Sequence, residues 1–481
     1  MLNVQSHNMA EDDQKRLALL VTRLKPADLL NQARAMIFVP VITWDVADDL
    51  LDNTSIKTRL DSASTGAKKI GARLARDPNV RDTFLRELVI AQHAPNAFEC
   101  GTGLAEGTDD LEAIWQELVE SDFISSQHGM KTLGGFILGA HLRDAPFAEN
   151  ALNSLISSPS LAKKLPTLQA YVAIDVDGIA RLLRAIGEGT VTSSDCYGIA
   201  IGNVRDAPPA EFEILLLDIS RLSGGIETAL HILHLYFRSI SKPQTHSVPN
   251  LIELGRQLLC GLSFSESKVV KSTSVRELIR ICFSEKEGET AFRSMCGQIR
   301  AALTVVDFSE DFDAVLQAIF KAKPLIALDE LLLSELMRNE YYVFEAELGL
   351  GAQIQALKAP LLLEWAQIDP YKRFQMLGRA VSLFTPREIE DGNAISGLFM
   401  ELLSHAPDRV AFLGDTESRV RPWRWGRSLV EVLVQRRSAI SRLEIPLDEG
   451  VSQWVQKSLR EIDKWIKVER GREQITEQSF E

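Results

Sequence analysis

The chain has 481 residues, 45% of them hydrophobic and 25% charged, with a formal net charge of -13. One compact core usually stops growing at about 250 to 300 residues, so a chain of this length divides into domains or extends as a stack. The average field repels phosphate backbones and anionic lipid, which counts against nucleic acid and membrane surfaces, and five cysteines without a CxxC pair argue against a disulfide framework or structural zinc.

Residues 1–15 are polar and acidic and lack the basic-then-apolar order of a secretory signal, so the expected location is cytoplasmic. The apolar stretch 35–44 is about half of the ~20 residues a membrane span needs, and it contains Pro40, which makes it core. Helical periodicity then dominates. Apolar residues recur at helical spacing in 111–119, 130–142, 147–156, 178–186, 210–222, 251–262, 275–283, 312–320, 326–337, 371–383, 395–404 and 428–437. Ile226, Ala229, Leu230, Leu233 and Phe237 form one stripe, while Ile232 and Leu235 lie off it, as on a helix with neighbours on two sides.

Local chemistry marks the helix ends. Pro146, Pro208 and Pro370 stand where a first turn tolerates proline, and Ser274 with Glu277 has capping-box spacing. The polar interruptions 53–67, 239–249, 263–273 and 385–393 read as bends, and the charged residues after Lys464 as a frayed tail.

Arg143-Asp144-Ala145-Pro146 recurs as Arg205-Asp206-Ala207-Pro208. In this register Leu142 pairs with Val204, Ala148 with Ala210, Leu152 with Ile214 and Leu155 with Leu217, all expected in the core. The Asp would cap the following helix and the Arg would close the preceding one on its negative pole. The expected fold is all-α, with little strand: an α-solenoid of stacked helical hairpins of the HEAT or TPR kind. Its expected segments are 1–95, 96–262 with the clearest repeats, 263–465, and the tail 466–481.

The segments Gly103-Leu104-Ala105-Glu106-Gly107 with Trp115, Gly178-Ile179-Ala180-Arg181-Leu182, Ala200-Ile201-Gly202, and Gly224-Gly225-Ile226 with Ala229-Leu230-His231-Ile232-Leu233 carry a family likeness. They resemble the helical-repeat C-terminal regions of large bacterial anti-phage defence proteins, in which such a region follows an NTPase or SIR2-type module. The resemblance spans roughly residues 96–237. It implies a sensor or scaffold arm that binds a protein, and it transfers no catalytic residue.

Several patterns bear on chemistry. Asp175 and Asp177, in Ala173-Ile174-Asp175-Val176-Asp177-Gly178, match the nucleophile and general acid of a Mg-dependent phosphatase motif, against a helix N-cap as the simpler reading. Glu227, His231 and His234 share one helical face that could chelate a metal or, more simply, consist of core or groove-lining histidines. Ser265 and Lys268 have the spacing of a serine nucleophile and its lysine but lack the companion motifs. Gly129-Met130-Lys131-Thr132 lacks the first glycine of a phosphate loop. Near the C-terminus Arg419, Arg421, Trp423, Arg424, Trp425 and Arg427, followed by Arg436 and Arg437, interleave guanidinium groups with aromatic faces, as protein-interface hot spots or single-strand binders do, against the simpler reading in which Trp423 and Trp425 pack on the next helix and the Arg side chains pair with acids such as Asp415 and Glu417. These patterns lead to the expectation of a non-enzymatic interaction scaffold that needs no cofactor or metal, with a protein partner through 419–427. A Mg-dependent phosphate enzyme using Asp175 and Asp177, or a nucleic-acid binder through the same 419–427 segment, are the alternatives.

Overall fold

The computed structural model describes residues 16, 26–38, 56–120, 122–202, 204–240, 248–285, 287–303, 309–333, 349–385, 394–414, 420–421, 428–443 and 448–478. Among these residues the protein is all-α, and the only β-type pairing is an isolated antiparallel bridge between Phe384 and Ile395. The chain forms two compact units, Met1–Leu251 and Ile252–Glu481. Helices on either side of residues 95 and 96 pack together within the first unit.

The first unit contains α1 (Leu29–Phe38), α2 (Ile56–Ala75), α3 (Pro78–Ile90), α4 (Ala97–Gly107), α5 (Leu111–Glu120), α6 (Gln127–Arg143) and α7 (Ala145–Ile156). It continues through the short α8 (Pro159–Ala162) and α9 (Leu165–Gln169), then α10 (Val176–Gly187), α11 (Ser193–Cys196), α12 (Pro209–Arg221) and α13 (Gly225–Ser239). Side-chain caps open several of them: Asp77 accepts from the Val80 amide at 3.2 Å, Ser126 from Gly129 at 2.9 Å and Asp144 from Phe147 at 3.1 Å. Each satisfies one of the amides that a first turn leaves without an intrahelical partner.

Glycine sets the spacing of α2, α4 and α6. A Cβ on Gly71 would stand 2.2 Å from the Cys100 carbonyl oxygen, and one on Gly103 would stand 2.0 Å from that of Lys68. On the other side of α4, a Cβ on Gly101 would stand 1.9 Å from the Thr132 oxygen, and one on Gly135 would stand 1.8 Å from that of Phe98. Backbones therefore touch on both flanks of α4, most of which is buried, and side chains larger than hydrogen have no room there. Of the stretch 53–67, expected as a bend, residues 53–55 lie outside the described residues and 56–67 are part of α2. Its buried stripe is Ala63, Ala67, Ile70, Gly71 and Leu74, so the helical period is carried mainly by Ala and Gly rather than by large apolar side chains.

The repeated tetrapeptide takes two conformations. Asp144 alone joins α6 to α7, and Arg143 donates to the Ala105 oxygen at 3.0 Å and also to that of Thr108. In the second copy Val204–Asp206 is a 3-10 turn, Pro208 is the N-cap of α12 and Pro209 opens the helix, so Asp206 does not cap it. The expected core pairing is overturned: Leu142 is 72% exposed while Val204 is buried, and Ile214 is 51% exposed while Leu152 is buried. Of the five buried residues of α7, all but Ile156, namely Ala148, Ala151, Leu152 and Leu155, correspond to Phe212, Leu215, Leu216 and Ile219 of α12. Each lies two residues beyond the tetrapeptide register, because the 3-10 turn inserts extra chain before the helix.

A buried polar network ties the middle of this unit. Arg181 on α10, 2% exposed, pairs with Glu149 of α7, donates to Asn153 at 3.0 Å and meets the side-chain oxygen of Gln169 on α9. Gln169 in turn donates to the Ala173 carbonyl at 2.8 Å. A guanidinium out of water needs such a set of acceptors, and here it fixes the α8–α9 segment against α7 and α10.

In the second unit, α14 (Pro249–Cys260), within which the division falls, is followed by α15 (Ser267–Val270), α16 (Thr273–Cys282), α17 (Glu289–Leu303), α18 (Asp313–Ala322) and α19 (Pro324–Ala327). After them come α20 (Gly349–Gln355), α21 (Ala359–Ala366), α22 (Pro370–Ala380), α23 (Gly397–His405), α24 (Arg409–Leu413), α25 (Leu429–Ser441) and α26 (Glu449–Gln478). The cap of α16 is Ser272, which accepts from Val275 at 3.4 Å; Ser274, expected as the cap, is buried one step inside and Glu277 pairs with Arg280. Pro370 opens α22 as expected, behind the Asp369 cap. Helix α26 runs to Gln478 with Ile462 and Ile466 buried, past the point where fraying was expected. In both units helices pack on the next or next-but-one element along the chain: α2 on α4, α4 on α6 and α10 on α12, then α16 on α18 and α22 on α24.

Candidate functional site

Of the Arg/Trp segment, Arg419, Trp423, Arg424, Trp425 and Arg427 lie outside the described residues. Arg421 is exposed, with Glu469 of α26 3.9 Å away. The two arginines further on have structural work. Arg436 stacks on the Phe384 ring at 4.5 Å and donates to the Val420 carbonyl, and Arg437 grips Asp463 with two bonds of 2.6 and 3.1 Å.

Asp175 is the N-cap of α10, its carboxylate accepting from the Gly178 amide at 2.9 Å, and Asp177 is exposed in the first turn. The simpler reading of that motif is the one observed. Gly129 to Thr132 form the opening of α6, where a Cβ on Gly129 would strike the Phe123 oxygen. Ser265 stands by Ser263, and Lys268 pairs with Glu266. Cys100, Cys196 and Cys282 are buried, and desolvation pushes their thiols up to about 12; Cys296 moves the same way for the same first reason. Thiols this hard to ionise are poor nucleophiles.

Glu227, His231 and His234 do share α13, yet the two histidines have different surroundings. His234 is 4% exposed, while His231 is half-buried, with its ring 5.1 Å from that of Tyr197. No group of three metal-ligating side chains occurs among the described residues.

His231 instead opens onto a cleft of about 540 Å³, bounded by α6, the α8–α9 turn, α11, the 3-10 turn Tyr197–Ile201 and α13. Its apolar lining comes from Met130, Ala200 and Leu235, its polar lining from Lys163, Lys164, Thr167, Ser194 and Asp195. Close backbone packing places the Tyr197 turn. A Cβ on Gly198 would stand 2.1 Å from the Thr167 hydroxyl oxygen, and one on Gly202 would stand 2.4 Å from the Ala170 carbonyl, so the turn lies flat on α9. Tyr197, 44% exposed, is left with its ring over His231.

The charges in the cleft are unequal. Asp195 is engaged in a capping box with Thr192, accepting from its amide at 2.9 Å and its hydroxyl at 2.6 Å. Among the described residues Lys163 and Lys164 have no ion pair, and both line the cleft in a chain of net charge -13. Partial burial lowers the His231 pKa from its ordinary value, since the cationic ring would lose hydration.

Compared with models of known protein families and with curated proteins, the chain matches none. The likeness to defence-protein repeats rests on its own motifs, and their glycines have packing roles. Gly103 and Gly107 seat α4 on α2, Gly202 seats the Tyr197 turn, and Gly224, at φ +68°, turns the chain into α13.

The sequence pointed to His231 as a groove residue but passed over Lys163, Lys164 and Tyr197. The usable signal was an adjacent lysine pair between Pro159 and Pro166, where proline marks two short helices in an otherwise acidic chain.

Proposed function

We propose that this chain is a non-enzymatic protein-interaction scaffold, an α-solenoid of stacked helical hairpins that serves as the sensor or scaffold arm of a bacterial anti-phage defence or regulatory assembly in the cytoplasm. The observation that carries the reading is the cleft. It is open and lined by a few polar groups around an exposed tyrosine, one of the residue types enriched among the hot spots of protein interfaces. Helices packed on their sequence neighbours give such a groove a rigid backing.

The alternatives have less support. A phosphate enzyme built on Asp175 would need a carboxylate that already caps α10, and a nucleic-acid site through Arg419–Arg427 would gain little from the neighbouring Arg436 and Arg437, which are bound to Phe384 and Asp463. No helix among the described residues is long and apolar enough to cross a membrane.

The test is site-specific photo-crosslinking in host cells, with a benzophenone side chain in place of Tyr197 and, as a control, in place of the exposed Ile90. A discrete protein adduct at 197 and not at 90 is expected. Adducts to nucleic acid, no adduct at 197, or a Mg-dependent phosphatase activity abolished by Asp175→Asn would each reject the reading.

A further inference from the structure

We infer that the cleft selects an acidic peptide segment that presents one bulky apolar side chain to Tyr197 and His231. This rests on the scaffold reading and names the chemistry of its partner. Two features converge within about 540 Å³, and the charge of the whole chain adds a third.

The first is charge. Lys163 and Lys164 stand side by side, and no carboxylate among the described residues pairs with them. The one acidic side chain in the lining, Asp195, has its second oxygen held by the backbone and hydroxyl of Thr192. In water such ammonium groups are well hydrated, so they cost little when the cleft is empty and gain most when a carboxylate arrives as other groups exclude solvent.

The second is the apolar seat. Tyr197 and His231 stack at 5.1 Å, tilted by 34°, beside Leu235 of the same helix as His231. Tyr197 cannot retract, because Gly198 and Gly202 press its turn onto α9 with no space for a side chain. A rigid aromatic face loses little entropy on binding, which suits it to anchor an apolar side chain.

The third is the field of the whole chain. At a net charge of -13 it opposes a polyanion, whose charge extends far beyond the cleft, more than a short segment with two or three carboxylates. The cleft also offers one aromatic face rather than the series that successive bases stack on. Peptide is therefore favoured over single-stranded nucleic acid.

The experiment pans the purified full chain against a random peptide display library and measures the recovered peptides by fluorescence anisotropy. Recovered sequences should carry Asp or Glu beside an aromatic or large aliphatic residue. Binding should fall roughly tenfold or more in Lys163→Glu with Lys164→Glu and in Tyr197→Ala, and stay close to wild type in Lys163→Arg with Lys164→Arg, with circular dichroism confirming the fold of each variant. Neutral or basic peptides that still require Tyr197 would overturn the acidic selection and leave the scaffold standing. Binding indifferent to Lys163, Lys164 and Tyr197 would overturn the cleft itself and the reading beneath it. An oligothymidylate that competes as well as the best peptide would overturn the peptide assignment.

Discussion

The glycine contacts of α4 predict opposite outcomes for one and the same substitution. At Gly135→Ala the new methyl would stand 1.8 Å from the Phe98 carbonyl oxygen, and at Gly101→Ala 1.9 Å from that of Thr132, against a floor of 3.0 Å for real contacts. Both obstacles are backbone, so no side chain can swing away, and the helices must part by about 1 Å or more. Overpacking of this kind costs about 1 to 3 kcal/mol and sometimes more, offset by a helix-propensity gain of about 1 kcal/mol for Gly→Ala. Because the clash is severe and cannot relax locally, the upper part of that range applies, and the net loss should be about 1 to 2 kcal/mol. Gly471→Ala, within α26 with nothing within 4 Å of the added methyl, lacks the opposing term and should gain up to about 1 kcal/mol. The double variant Gly101→Ala with Gly135→Ala should cost less than the sum of its parts, since both methyls open the same interface. Urea titration read by hydrogen exchange at α4 and at α26 gives each unit its own curve, which two-unit proteins require. If Gly135→Ala leaves α4 as stable as in the wild type, the backbone contacts do not set the helix spacing.

Removing the α10 cap with Asp175→Ala should cost about 1 kcal/mol in the first unit, whereas Asp177→Ala, exposed and not a cap, should cost less than half of that; equal losses in thermal denaturation would refute the cap. Glu149→Ala strands the Arg181 guanidinium in the core and should cost about 3 kcal/mol, the low end for a buried pair because Glu149 is itself partly exposed. Asp82→Ala, which breaks an exposed pair with Arg86 on α3, should cost under about 0.5 kcal/mol, and comparable losses in chemical denaturation would argue against the buried network. The folded His231 has a pKa below its ordinary value of 6.5, so the unfolded chain binds more protons there. Its contribution therefore falls as pH drops from the unfolded value through the lowered folded one, and is flat above. A His231→Gln variant should lose less stability between pH 8 and pH 5 than the wild type, and parallel pH curves would place His231 in water.

How much was legible can be judged from single elements. The stripe on α13 was readable because Ile, Leu and Phe repeat at 3.6, and the second apolar side announced neighbours that the structure supplies. Helix α2 was not, since much of its buried face is Ala and Gly, which carry little hydropathy. The tetrapeptide misled for a different reason. Identical letters were read as identical register, while the buried stripe of α12 falls two residues further on than that of α7, after a 3-10 turn that no spacing rule exposes. At the cleft, His231 was visible as a groove residue, but Tyr197, Lys163 and Lys164 sit in short helices and turns that have no period to detect.

By itself the sequence determined the helical class, the caps at Asp144 and Asp175 and the proline start at Pro370, because each follows from interactions within a turn or from composition. Only the tertiary structure decided which helices touch backbone to backbone, how far the buried stripe of α12 is shifted from that of α7, and which side chains line the cleft. The cleft alone gathers residues from 130 to 235 along the chain, and local chemistry carries no record of such distances.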